Sequence, residues 1–79
     1  MNMKILILGA GQVGSSAAEQ LSLEESNNVT VVDNRSDVLR ELQDRLDIRT
    51  IIGHASHPDV LKRAEADNTD IVIALTDSD

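Results

Sequence analysis

The sequence predicts an α/β domain built on a doubly wound parallel sheet. Two observations carry that expectation: four short apolar runs rich in Ile and Val, and three intervening stretches whose apolar residues repeat at helical spacing. The runs are Met3–Leu8, Asn28–Val32, Arg49–Ile52 and Asp70–Leu75. Each is too short for a helix and shows little polar alternation, which marks strands covered on both faces. Between the first two runs, from Gln12 to about Ser22, Val13, Ala17 and Leu21 fall at i, i+4 and i+8 and are expected to form the buried stripe of a helix. A second helix is expected from Asp37 to about Leu46, with Val38, Leu42 and Leu46 on its inner face, Leu39 widening that face and Ser36 as N-cap. The third runs from about Pro58 to Ala66 and presents Val60, Leu61 and Ala64. Ser56 and Asp59 form a start signal for it, and Pro58 sits in its first turn.

The resulting order, β-α-β-α-β-α-β, requires right-handed crossovers within one parallel sheet and a strand order of 3-2-1-4. Folds of this type usually have about six strands. Residues 1–79 are therefore expected to be the N-terminal part of a larger domain, truncated after the fourth strand. An apolar fourth strand left at the edge predicts marginal stability or self-association.

Composition narrows the function. The chain has 79 residues, 7 Lys+Arg against 14 Asp+Glu, a net charge of −7 and 41% hydrophobic residues. A domain of this length buries only about 60% of its unfolded surface. The absence of Cys excludes disulfides, Cys-based zinc sites and Cys nucleophiles. The acidic balance disfavours nucleic acid and anionic membrane surfaces as partners. With no Phe, Trp or Tyr, there is no stacking platform for bases and no aromatic cage for cations. No apolar run approaches the roughly 20 residues of a membrane span, and the few residues before Ile5 do not read as a signal peptide. The expectation is a cytoplasmic protein without direct membrane insertion.

One motif carries chemistry. Gly9-Ala10-Gly11-Gln12-Val13-Gly14 reads G-x-G-x-x-G, follows the first strand and opens the first helix. Asp33 ends the second strand 19 positions after Gly14 (33 − 14). That context is the fingerprint of a Rossmann-like dinucleotide fold. Gly9 permits a tight turn, Gly11 lets a pyrophosphate approach the backbone, and Gly14 lets the helix pack closely on the sheet. The free N–H groups near Gln12 and Val13 would point at the phosphates. Asp33 would accept the hydroxyls of the adenosine ribose. It would repel a 2′-phosphate by a few kcal/mol, taking charges about 4 Å apart at an effective dielectric near 20. NAD(H) is therefore expected over NADP(H). Other readings remain: the glycines as a purely structural turn, Asp33 as a loop cap, and Arg35 as an adenine or phosphate contact, a softener of the bias against NADP(H), or a solvated side chain.

Elsewhere the signals are weaker. His54 and His57 follow the third strand near Asp59, but no ligand cluster has a diagnostic metal spacing. Solvated or capping roles are expected for both. Thr76 follows the fourth strand at the switch point and would reach the ribose or pyrophosphate, whereas Asp77 and Asp79 read as loop or cap residues.

Several stretches together resemble the RCK/KTN N-terminal domains, the TrkA-type nucleotide-binding domains of bacterial potassium uptake. They are Lys4 through Gly14, Val31-Val32-Asp33, Leu39 through Asp44, Gly53-His54-Ala55-Ser56-His57-Pro58-Asp59-Val60-Leu61, and Ile73 through Asp79. The likeness covers essentially the whole chain, and the G-x-x-S-H-P-x-V-L stretch and T-x-S-D ending are its most specific parts. It implies regulation rather than catalysis. Such domains bind NAD(H), or ATP or ADP in related systems. They assemble as dimers or higher homo-oligomers beneath a potassium-translocating membrane subunit, at the inner face of the cell membrane. By matching positions, Gly9, Gly11, Gln12, Val13 and Gly14 would hold pyrophosphate, and Asp33 the ribose with Asn34 and Arg35 beside it. Gly53, His54, Ala55 and Ser56 would lie by the adenine, and Thr76 near the second half of the dinucleotide. Ala55 stands where many relatives have Gly, and Arg35 where acidic or small polar residues are frequent. The alternative function is the cofactor half of an NAD-dependent dehydrogenase, whose substrate domain and acid/base residues would have to lie beyond residue 79.

Overall fold

The structure, a computed structural model, describes residues 3–53, 59, 62 and 68–75. Along the chain these form β1 (Met3–Leu8), α1 (Gln12–Ser22), β2 (Asn27–Asp33), α2 (Ser36–Arg45), β3 (Arg49–Ile52) and β4 (Ile71–Ala74). The strands make one four-stranded sheet in the order β3-β2-β1-β4, and every pairing is parallel. This is the order expected from the sequence. Register aligns Ile7 with Val31 and Ile73, and Val32 with Ile51, so rows of branched side chains stack across the strands. The third predicted helix falls outside the described residues, apart from Asp59 and Lys62, which are helical.

Side-chain alternation divides the apolar residues between the two faces of the sheet. On one face Ile5, Ile7, Val29 and Val31 form a core with Ala10, Ala18, Leu39, Leu42 and Ile48. On the other, Leu6 and Val32 are almost fully buried and pack with Leu8 and Ile51. Both α1 and α2 lie on the first face, because the crossovers β1 to β2 and β2 to β3 step across the sheet in the same direction with the same hand. The chain then returns past β1 to form β4. That reversal puts the topological switch point between β1 and β4.

Two expectations about the helices are corrected. Val13 is 64% exposed and is not part of the buried stripe. The line of closest approach in α1 runs through Gly14 and Ala18, with Ala17 and Leu21 partly buried. Only residues this small let the helix axis come so near the strands, and the phase of the helix turns Val13 outward. The second correction concerns Ser36, which is the first helical residue of α2. Arg35 is the N-cap, in an extended conformation (φ −103°, ψ 102°), and no side chain caps the helix. Among the described residues β4 is the edge of the sheet beyond β1, with Ile71 and Val72 half exposed.

Candidate functional site

Parallel strands deliver the ends of β1 and β2 and their following loops to one rim of the sheet. At this rim Gly9 donates its amide to Val32 O (2.8 Å), so the chain leaving β1 is still tied to β2. Its φ of 116° lies in the left-handed region that side chains disfavour. A Cβ there would also run into the carbonyl oxygen of Leu75, the residue after β4. Conformation and space thus both require glycine. Gly11 then serves as N-cap of α1, and the first helical hydrogen bond runs from Ser15 N to Gly11 O (2.8 Å). The Ser15 hydroxyl donates back to Ala10 O (3.1 Å) and steadies the turn.

Gly14 belongs to the same unit. A Cβ on it would overlap the Gly9 carbonyl oxygen and touch Ile7. The helix start therefore sits directly on the turn that precedes it. The amides of Gln12, Val13 and Gly14 precede the first hydrogen bond within α1, and Gly11 brings no side chain to cap them. No acidic residue lies in the first turn, so the positive end of the helix is not neutralised from within. These are the features of an anion site.

Asp33, the last residue of β2, is the only polar or charged residue among the described ones that is buried. Its Oδ2 accepts the Ala10 amide at 2.7 Å, which links the end of β2 to the glycine turn after β1. Arg35 completes the environment. Its backbone N–H donates to Oδ1, and its side chain forks the carboxylate with Nε on Oδ1 and Nη2 on Oδ2, each at 2.9 Å. The guanidinium hydrogen bonds, and then the amides of Ala10 and Arg35, hold the Asp33 carboxyl well below the usual carboxylate range. Burial opposes them but is outweighed. Just after β3, Gly53 donates its amide to Asp33 O (2.9 Å) and lies beside the same rim.

The structure thus brings together Gly9, Gly11, Gln12, Val13, Gly14, Asp33, Arg35 and Gly53 at one rim. Asn34 is exposed in the turn after β2. The candidates His54, Ala55, Ser56 and Thr76 lie outside the described residues. Sequence reasoning missed the Ala10 amide, because a backbone donor leaves no signature in residue type. It also left the role of Arg35 open, although spacing held a clue: residues two apart in extended chain point to the same side, and Arg35 is two from Asp33. A polar cleft of about 150 Å³ between Glu25, Asn28, Asp47 and Arg49 opens at the amino ends of β2 and β3, away from these groups. Among the described residues no three His, Cys, Asp or Glu side chains gather as a metal site would require. No described helix is long and apolar enough to cross a membrane.

Residues 5–79 match the model of the TrkA-N domain family. This chain belongs to that family. The TrkA-N match takes in β1 from Ile5 onward, the glycine turn, Asp33 and the other three strands of the sheet. The chain is also 57% identical over 77 residues to the Trk system potassium uptake protein TrkA of Vibrio alginolyticus, and 56% identical over 77 residues to that of Halomonas elongata. A more distant relative is the Trk system potassium uptake protein TrkA homolog 2 of Methanosarcina mazei, 38% identical over 77 residues. Each comparison spans 98% of this chain. The chain itself spans 17% of the length of the Vibrio and Halomonas proteins, and 16% of the Methanosarcina one.

As a fit test for a dinucleotide, the TrkA-N geometry is favourable in two places and conditional in a third. The first-turn amides of α1 suit a pyrophosphate, and Gly11 adds no side chain in its way. Asp33 offers a buried, ionised acceptor that is hydrogen-bonded to the turn itself through the Ala10 amide. However, the outward faces of that carboxylate are taken by the Arg35 guanidinium.

Proposed function

We propose that this TrkA-N domain is an NAD(H)-binding regulatory module of a potassium uptake system, and not an enzyme. The observation that carries the reading is the hydrogen bond from Ala10 N to Asp33 Oδ2. It fixes a ribose acceptor and a phosphate-binding turn to each other before any ligand arrives. The pyrophosphate would lie over the amides of Gln12 and Val13. The ribose hydroxyls would donate to Asp33, and the adenine would face the end of β3 near Gly53, toward His54, Ala55 and Ser56. Thr76 would approach the second half of the dinucleotide. The turn and Asp33 engage only the adenosine-diphosphate half, so ATP and ADP share the chemistry of this site.

The names of the relatives support the potassium role over a dehydrogenase. The nucleotide would act on transport only by binding two states of the assembly with different affinity. The partners proposed are a potassium-translocating membrane subunit and further copies of this chain, with the protein at the cytoplasmic face of the membrane. We further propose that these residues are the N-terminal part of a longer Rossmann-like domain. The half-exposed Ile71 and Val72 on β4 favour a sheet that continues there.

The test is a titration of the full-length protein with NADH, followed by nicotinamide fluorescence, with NADPH and ATP as competitors. Saturable binding that is weakened in Asp33→Ala and poorly competed by NADPH supports the reading. Binding of ATP without NADH retains the site but contradicts a redox ligand. Unaltered NADH binding in Asp33→Ala contradicts the ribose assignment.

A further inference from the structure

We propose that Arg35 is a built-in competitor of the nucleotide ribose, holding the outward faces of the Asp33 carboxylate until a ligand displaces it. The proposal rests on the nucleotide-binding reading of Asp33 and goes beyond it in naming what sets affinity and sugar selectivity.

The geometry of the carboxylate carries the inference. A carboxylate offers about four acceptor positions, two on each oxygen. At Asp33 one position on each oxygen is taken by backbone: Ala10 N on Oδ2 and Arg35 N on Oδ1. These two bonds are built into the strand end and the turn, so they persist whatever binds. The second position on each oxygen is taken by the Arg35 side chain, through Nε and Nη2. A ribose 2′,3′-diol is itself a two-pronged donor that needs one position on each oxygen. Guanidinium and diol are therefore alternative occupants of the same pair of positions.

Accessibility supports the exchange. The Asp33 side chain is 7% exposed, whereas that of Arg35 is 47% exposed. The guanidinium thus forms the solvent-facing side of the pair and is what an arriving ligand would meet. Arg35 belongs to the loop just before α2, and its backbone bond to Oδ1 does not depend on where its side chain lies. The side chain can leave without moving Asp33 or the glycine turn. A bidentate, charge-assisted fork is stronger than a neutral hydrogen bond, so it opposes ribose binding measurably without preventing it.

The experiment compares ADP with 2′-deoxy-ADP by calorimetric titration of the full-length protein, in the wild type, Arg35→Gln, Asp33→Ala and the double variant. ADP isolates the half of the ligand that meets Asp33, and the ratio of the two affinities reads the ribose contact alone. Arg35→Gln is expected to tighten ADP by about three- to tenfold. It should widen the preference for ADP over 2′-deoxy-ADP, and Asp33→Ala should abolish that preference with or without Arg35. A merely structural Arg35 would change melting temperature but not the ratio. An unchanged or narrowed ratio in Arg35→Gln overturns the competitor role while leaving Asp33 as the ribose acceptor. A wild-type ratio in Asp33→Ala overturns the ribose assignment itself. Should Asp33→Ala fail to fold, Asp33→Asn, which keeps an oxygen for the Ala10 amide, reads the same ratio.

Discussion

Gly14 of the first helix rests directly on the carbonyl oxygen of Gly9, five residues earlier, with no room for even a methyl group between them. This contact makes the turn and the helix start one rigid piece. It sets the start of α1 against the turn whose Ala10 amide is bonded to Asp33 at the end of β2. Gly14→Ala should therefore destabilise the fold by about 1–3 kcal/mol, the usual cost of overpacking a tight site. Gly9→Ala should cost about 3 kcal/mol or more, since an unfavourable φ and a clash with Leu75 O add together. Urea unfolding of the two variants checks both magnitudes and their order.

Acid should act on the Asp33 pair in a definite direction. The folded carboxyl titrates below its ordinary value of 3.8. Its contribution to stability is thus complete above that value and is lost as pH falls from there toward the depressed folded value. The stability gap between wild type and Asp33→Asn should be flat from about pH 5 to 8 and shrink below about pH 4. Denaturant titrations across this range measure it. A gap that grows on acidification would contradict the pairing.

Core position and rim position should separate cleanly in α1 and α2. Leu39 and Leu42 are 1% and 2% exposed against the sheet, so truncating either to Ala should cost about 2–5 kcal/mol. Val13→Thr should change stability by less than about 0.5 kcal/mol, because Val13 is a surface residue. If Val13→Thr instead destabilises like a core variant, the phase assigned to α1 is wrong. Thermal melts followed by far-ultraviolet circular dichroism suffice.

That phase marks the limit of what the sequence could say. Strand positions were readable because β-branched runs leave little choice: Met3–Leu8 and Arg49–Ile52 have the bounds expected, and β2 and β4 differ from expectation by one residue at each end. The strand order followed from alternation and handedness alone. For α1, an i, i+4, i+8 pattern selected Val13, Ala17 and Leu21, yet close packing on the sheet buried Gly14 and Ala18 instead. The cap of α2 was misplaced by one residue because Arg35, a poor capping type, is held in place by Asp33 rather than by a helix N–H. At the site, the glycines and Asp33 were legible from spacing. The occupation of Asp33 by Arg35 and Ala10 was not, because it depends on which acceptor positions the fold fills first.

The most direct measurement is a crystal structure of the full-length protein with NADH bound. The predicted result has the pyrophosphate on the amides of Gln12 and Val13, both adenosine ribose hydroxyls on Asp33, the Ala10 hydrogen bond intact and the Arg35 side chain turned away. NADH bound elsewhere, or a ribose that leaves Asp33 paired with Arg35 and untouched, would contradict the site described above.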